Sequence, residues 1–133
     1  MASETVVPIT TDTDVVVARQ KGRELAVELG FVSTDSTLLA TAISELARNI
    51  VRYAKHGEIV IAPIQSGDRV GITVVARDKG PGIASMLLAM QDGYSTSGGL
   101  GLGLPGVKRL MDEFHLASDA NNGTTVTIKK WKR

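Results

Sequence analysis

The 133-residue sequence predicts an α+β fold, a mixed, mostly antiparallel sheet with helices packed on one face. Three observations carry this. The segments run in the order strand, two helices, two strands, a glycine-rich loop, a helix and two strands. The helical segments are amphipathic, so each has one face to bury. Neighbouring strand segments are joined by short polar turns, which make antiparallel hairpins. A doubly wound parallel sheet would need strands and helices to alternate more regularly.

Val6, Val7 and Ile9 make a short first strand, placed at an edge because Pro8 has no N–H to give a second neighbour. Asp12 or Asp14 caps a helix that runs to about Leu29 and stops at Gly30. Its apolar positions are Val16, Val17, Leu25 and Leu29, with Arg19, Lys21, Arg23, Glu24 and Glu28 left mostly in water. Residues 33–35 offer a second cap. After it, Leu38, Leu39, Ala42, Ile43, Leu46, Ala47, Ile50 and Val51 recur in pairs every four residues, the wide stripe of a strong helix. Gly57 stops it.

Residues 59–64 and 70–76 read as strands around a turn at Ser66-Gly67-Asp68. In the second, Val70, Ile72, Val74 and Ala76 share one face. Glycines then crowd residues 78–106, interrupted by an apolar segment at 86–90. Val107, Leu110, Met111 and Phe114 return to helical spacing, and His115 after them reads as a core-packed side chain. Strands at about 116–120 and 124–128 finish the fold around an Asn121-Asn122-Gly123 turn. The basic end, residues 129–133, reads as a solvated tail with Trp131 packed back.

Composition narrows the function. Hydrophobic residues are 43% and charged residues 22%, which suits a globular chain, expected to be one domain over residues 1–133. Fifteen basic against 14 acidic residues leave a net charge of +1, too little for a coat on phosphate backbones. Aromatics at 4% make no base-stacking platform, so no nucleic-acid partner is expected. The absence of cysteine excludes disulfides and thiolate metal sites. His56 and His115, far apart in sequence, give a histidine metal site little support. The early Glu4 and the lack of any long apolar run point to a soluble intracellular protein with no membrane partner.

Three constellations can carry chemistry. Glu45 and Asn49 are four apart on the second helix, so they share a face at the edge of the apolar stripe. A carboxylate there can act as a base, and an amide oxygen can ligate a hard cation. Asp78-Lys79-Gly80-Pro81-Gly82 follows the alternating strand directly. Its carboxylate can accept from a ligand amino group, and glycines let a flat ligand close to the backbone. The third, Gly99-Leu100-Gly101-Leu102-Gly103-Leu104-Pro105-Gly106, feeds glycines into a helix, whose free N–H groups favour an anion. It formally matches the dinucleotide fingerprint, but the polar segment before it is no buried strand, and that reading fails.

In this order and spacing the three resemble the N-box and the two glycine boxes of the superfamily of gyrase, Hsp90 chaperones, histidine kinases and MutL, known as GHKL. The resemblance runs from the second helix to the last strand and implies a Bergerat-type ATP-binding fold. A stand-alone domain of this size resembles the bacterial serine-protein kinases and anti-sigma factors. Residues 92–114 are very similar to the RsbT-type switch kinases of the stressosome, a bacterial stress-signalling complex. That resemblance implies a cytoplasmic serine/threonine-protein kinase using ATP and Mg²⁺. Its substrates would be STAS-domain scaffold proteins, and its second partner a PP2C-type phosphatase that it activates after release. The alternative is an ATP-binding anti-sigma factor that sequesters a sigma subunit.

Residue by residue, the resemblance makes Asn49 the Mg²⁺ ligand and Glu45 the group that orients or deprotonates the attacking hydroxyl. Asp78 would accept from the adenine amino group, with Gly80 and Gly82 lining the base. Arg52 would stand near the phosphates, which Gly99, Gly101 and Gly103 would cradle, with Leu104 next at the helix start. Thr124 would support the adenine contact through water. The segment at 84–98 is short for an ATP lid and implies slow turnover, completed by surfaces of the bound partner.

Overall fold

The computed structural model describes residues 4–79, 103–119 and 123–133. Its elements are β1 (Thr5–Ile9), α1 (Asp12–Glu28), α2 (Ser33–Asn49), a π-helical turn (Ile50–Ala54), β2 (Gly57–Ser66), β3 (Arg69–Asp78), α3 (Gly103–Leu110), β4 (Glu113–Asp119) and β5 (Gly123–Trp131). The five strands form one sheet in the order β1-β2-β3-β5-β4. All four pairings are antiparallel, so the mixed character expected of the sheet is absent among the described residues. Pro8 lies on β1, an edge strand, as its missing N–H requires.

One face of the sheet builds the core. Ile59, Ile61, Ile72, Val74, Val126 and Ile128 alternate inward and meet Leu39, Ile43, Leu46 and Ile50 of α2 and its π turn. The expected stripe on α2 is therefore the one that is buried. The stripe on α1 is met in part: Val17, Leu25 and Leu29 pack against the core, but Val16 is exposed and the fully buried positions are Val15, Ala18, Gly22 and Ala26. The reason is close approach. A Cβ on Gly22 would run into Ile43 Cδ1, so α1 lies against α2 through its smallest residues rather than its largest.

The caps also shift by small steps. Thr11 is the N-cap of α1, and Asp14 reaches back from the third helical position. Its Oδ2 accepts from the Thr10 and Thr11 N–H groups at 2.9 and 3.0 Å. Gly30 ends α1 with φ +85, its N–H bonding Val27 O while Phe31 N–H bonds Ala26 O, the paired pattern of a Schellman motif. α2 has no side-chain cap at all; its N-cap is Val32. Asp35, expected among the capping residues, is instead buried and ion-paired to Arg133 at 3.0 Å. That contact lacks hydrogen-bond geometry at Oδ2, so charge alone holds it.

Two expectations at the end of the chain are corrected. α3 stops at Leu110, and Phe114 sits on β4 opposite Ile128. His115 is consequently exposed rather than packed, because alternation sends it to the other face from Phe114 and Leu116. The basic end is no solvated tail either. β5 runs to Trp131, whose ring lies 4.1 Å below the Arg69 guanidinium and whose Nε1 donates to Glu113 Oε2 at 2.8 Å. Lys130 is buried, and its ammonium donates to Leu110 O at 3.1 Å, closing the C-terminal end of α3. Among the described residues no helix is long and apolar enough to cross a membrane.

Asp14 gives a pH signature. Hydrogen bonds from the Thr10 and then the Thr11 backbone N–H hold its carboxyl below the ordinary value of 3.8. A depressed carboxyl stabilises the fold fully above the unfolded value and loses that contribution as pH falls through the folded one. Asp14→Ala is therefore expected to melt lower than the native chain at neutral pH. The two melting curves should begin to converge as pH drops below 3.8 and meet only below the lower folded value. Melting temperatures across that window, followed by circular dichroism, check it; a gap that persists in acid would mean Asp14 acts by something other than its charge.

Candidate active site

The predicted polar residues gather where α2 ends over the ends of β3 and β5. Glu45 is in the last turns of α2, held there by the same stripe that buries Ile43 before it and Leu46 after it. Its side chain is only 3% exposed, yet both oxygens are occupied. Oε2 accepts the Gly103 N–H at 3.3 Å, a contact between residues 58 apart in sequence. Oε1 accepts from Arg48 at 3.2 Å, one turn along the helix. A buried carboxylate needs such partners, since burying it bare would cost several kcal/mol.

Asn49 follows one turn after Glu45. Its Nδ2 is buried and has no hydrogen-bond partner among the described residues. A native buried amide left unmatched is an exception that calls for a cause, and a ligand that engages the amide is one. At Ile50 the helix widens into a π turn, closed by Lys55 N–H on Ile50 O at 2.8 Å. Such widened turns are frequent at functional sites. Lys55 ends it with φ +75, a left-handed backbone that reverses the chain into β2. Arg52 lies in this turn, exposed, with its guanidinium 6.0 Å from the Tyr53 ring centre.

Asp78 is the last residue of β3 and continues the inward face of Ile72, Val74 and Ala76, so it points to the helix side of the sheet. Its register partners are Gly57 on β2 and Thr124 on β5. Two glycines make room for it. A Cβ on Gly57 would sit 2.9 Å from Ile50 Cγ2 and 3.1 Å from Asp78 Cβ. A Cβ on Gly123, where φ is +86, would collide with Asp78 O and Lys79 Cα. Thr124 Oγ1 meets Ser118 Oγ at 3.1 Å, in the row that also carries Asp78. A cleft of about 470 Å³ opens near Asp78, lined by His56, Glu58, Arg77 and Thr125 among others. Glu58, Arg77 and Thr125 alternate to the face away from the helices, so this cleft lies across the sheet edge from Glu45.

Gly103 begins α3 with φ +73 and spends its N–H on Glu45. Leu104 beside it is buried in the core, so only its backbone can face a ligand. The structure thus joins Glu45 to Gly103 and Asp78 to Thr124, with Asn49 beside Ile50, which touches the Gly57–Asp78 row. Gly80, Gly82, Gly99 and Gly101, like the short segment at 84–98, lie outside the described residues.

Sequence reasoning passed over three residues that shape this place. Arg48 was inside the Glu45–Asn49 box, three positions from Glu45, where an i,i+3 ion pair forms. Gly57 read as a helix stop and Gly123 as a turn residue, although their main service is to let Asp78 in. Their position beside strand ends was the available signal.

Comparison with known proteins agrees with this geometry. The sequence model of the family described as histidine kinase-, DNA gyrase B-, and HSP90-like ATPase matches residues 34–133. The chain is similar to the serine/threonine-protein kinase RsbT of Bacillus subtilis (strain 168), 52% identical over 133 residues and covering 100% of both chains. It is also similar to the anti-sigma F factor of Geobacillus thermodenitrificans (strain NG80-2), at 33% identity over 101 residues, 71% of this chain and 68% of that one. The anti-sigma F factor of Geobacillus stearothermophilus matches at 31% over 110 residues, 77% and 74% of the two chains.

Proposed function

Because the chain belongs to the histidine kinase-, DNA gyrase B- and HSP90-like ATPase family, as a serine/threonine-protein kinase of the RsbT type, we propose that its substrate is a STAS-domain scaffold protein of the stressosome. It phosphorylates a serine or threonine there with Mg-ATP in the cytoplasm. Once released, it activates a PP2C-type phosphatase in bacterial stress signalling.

The observation that carries the reading is the buried Glu45 carboxylate with the unmatched Asn49 amide one turn away. The residues fit the nucleotide and the cation in kind. Asn49 would offer Oδ1, a hard oxygen donor, to Mg²⁺, while its unmatched Nδ2 would donate to a phosphate oxygen. Asp78 and Thr124 would hold the adenine end, with Gly57 and Gly123 keeping the approach open. Bound Mg-ATP supplies an electrophilic terminal phosphoryl group. Glu45 orients the acceptor hydroxyl and takes its proton, while burial keeps bulk water from the same carboxylate. Arg52 adds positive charge on the exposed side of the turn. Most of the effect is positioning and electrostatics, as phosphoryl transfer requires.

The matches to anti-sigma F factors favour a second reading, an ATP-binding protein that sequesters a sigma subunit. One experiment separates the two. The chain is incubated with labelled ATP, Mg²⁺ and a STAS-domain partner, then treated with acid, and the label is mapped by mass spectrometry. Acid-stable label on a serine or threonine of the partner is the expected result. No transfer to any STAS protein, with a sigma subunit retained on the immobilised chain, would give the second reading first place.

A further inference from the structure

Glu45 is closed off from the hydroxyl it is to deprotonate. A proton can pass only when the hydroxyl oxygen comes within about 2.6–3.2 Å of a carboxylate oxygen. Each oxygen already accepts one hydrogen bond, and the side chain is 3% exposed, so the buried carboxylate leaves little room for a hydroxyl to reach it. The two contacts differ in how easily they yield. Gly103 holds Oε2 through backbone at the head of α3. Arg48 holds Oε1 with a long side chain that is 45% exposed, through one nitrogen at 3.2 Å. A two-pronged guanidinium–carboxylate pair is stronger than such a single contact, so an incoming carboxylate can win Arg48 from Glu45.

The surroundings favour a visitor of that charge. Arg48, Arg52 and Lys55 are all exposed along the end of α2 and just past its π turn. No acidic residue occurs in the sequence between Glu45 and Glu58, in a chain whose whole net charge is +1. The stretch that follows Glu45 is thus basic by local sequence rather than by overall composition. Electrostatic complementarity of this kind steers and selects a partner.

We propose that Arg48 is a gate on Glu45, opened by an acidic side chain of the protein acceptor. The visiting carboxylate pairs with the Arg48 guanidinium, and Oε1 becomes free to receive a proton. The acceptor O–H bond then breaks toward Oε1 as the oxygen–phosphorus bond forms, and the bond to the bridging oxygen breaks with its electron pair leaving on ADP. Arg48 is a positioning residue and is unchanged by the reaction. The inference rests on Glu45 being the base, and it names the substrate class: a serine or threonine hydroxyl with Asp or Glu close to it.

The test compares the native chain with Arg48→Ala, Arg48→Gln and Arg48→Lys. Without acceptor, both neutral variants should hydrolyse ATP several-fold faster, because water reaches the uncovered Oε1; Arg48→Lys should stay near the native rate. With a phosphorylatable STAS protein, KM for the acceptor should rise about tenfold in Arg48→Ala, the loss of one charge-assisted contact. Neutralising the acids beside the acceptor hydroxyl should raise KM in the native chain and add nothing in Arg48→Ala. ATP affinity by calorimetry should be the same in all. Unchanged or slower hydrolysis with normal ATP binding overturns the gate, as does a rise that persists in a Glu45→Gln background or a change in ATP affinity. Transfer indifferent to the acceptor's acids overturns the acidic visitor. Hydrolysis that behaves as expected while no STAS protein is phosphorylated leaves the gate standing and removes the STAS substrate reading instead.

Discussion

Glu45→Gln is expected to lower phosphoryl transfer by about 10²-fold or more, within the range general bases supply, while ATP affinity stays near the native value. Glutamine keeps the shape and one acceptor oxygen, so the Gly103 N–H at the head of α3 stays bonded. What disappears is the capacity to take a proton, together with the ion pair to Arg48, whose exposed guanidinium can turn to water. Alanine would be the poorer probe, since it also leaves a buried N–H unpaired and adds a cost of about 1–3 kcal/mol to the fold. Single-turnover transfer beside titration calorimetry separates the two quantities. A glutamine variant that transfers at the native rate would remove Glu45 from the role of base.

Gly123→Val is expected to destabilise the fold by about 2–4 kcal/mol, combining a left-handed backbone forced on a branched residue with overpacking. The glycine stands at φ +86, and any Cβ there meets Asp78 O and Lys79 Cα, both backbone atoms that cannot swing aside. The strain therefore lands on the end of β3, which carries the carboxylate assigned to adenine. Denaturant unfolding measures the first effect and calorimetry the second. A variant as stable as the native chain would mean that the β3 end and the start of β5 do not approach as closely as described. Gly67 is the control: it also has positive φ, at +61, but a Cβ there meets nothing within 4 Å. Substitution at Gly67 should cost stability without touching ATP affinity.

Much of the architecture could be read in advance because local pattern and tertiary burial agree. The paired apolar positions of α2 are the ones that face the sheet, and the alternation in β3 runs inward to Asp78 without a break. Failures came where a distant partner decides. Val107, Leu110, Met111 and Phe114 fit helical spacing, but Phe114 and Leu116 equally fit a strand, and pairing with Ile128 and Val126 settles the matter. On α1, Val17, Leu25 and Leu29 pack inward as read, but Val16 does not, and Gly22 drew no attention although Ile43 needs the space it leaves. Lys130 read as solvated because nothing local reveals the Leu110 carbonyl waiting for it. At the candidate site, Glu45, Asn49 and Asp78 could be singled out from spacing and resemblance. The grip of Arg48 and Gly103 on Glu45 was not, since one is a matter of rotamer and the other spans the fold.

The sheet order has a kinetic side. β2 with β3, and β4 with β5, are neighbours in sequence and can zip early at small entropic cost. β3 must then find β5 across everything between them, and Glu45 must find Gly103 across 58 residues. Long-range closures of this type dominate the folding barrier of β-rich topologies. Asp78 and Thr124 become neighbours only through that late docking step. A chain in which β3 and β5 are not yet paired therefore lacks the Asp78–Thr124 row on which the proposed adenine contact rests.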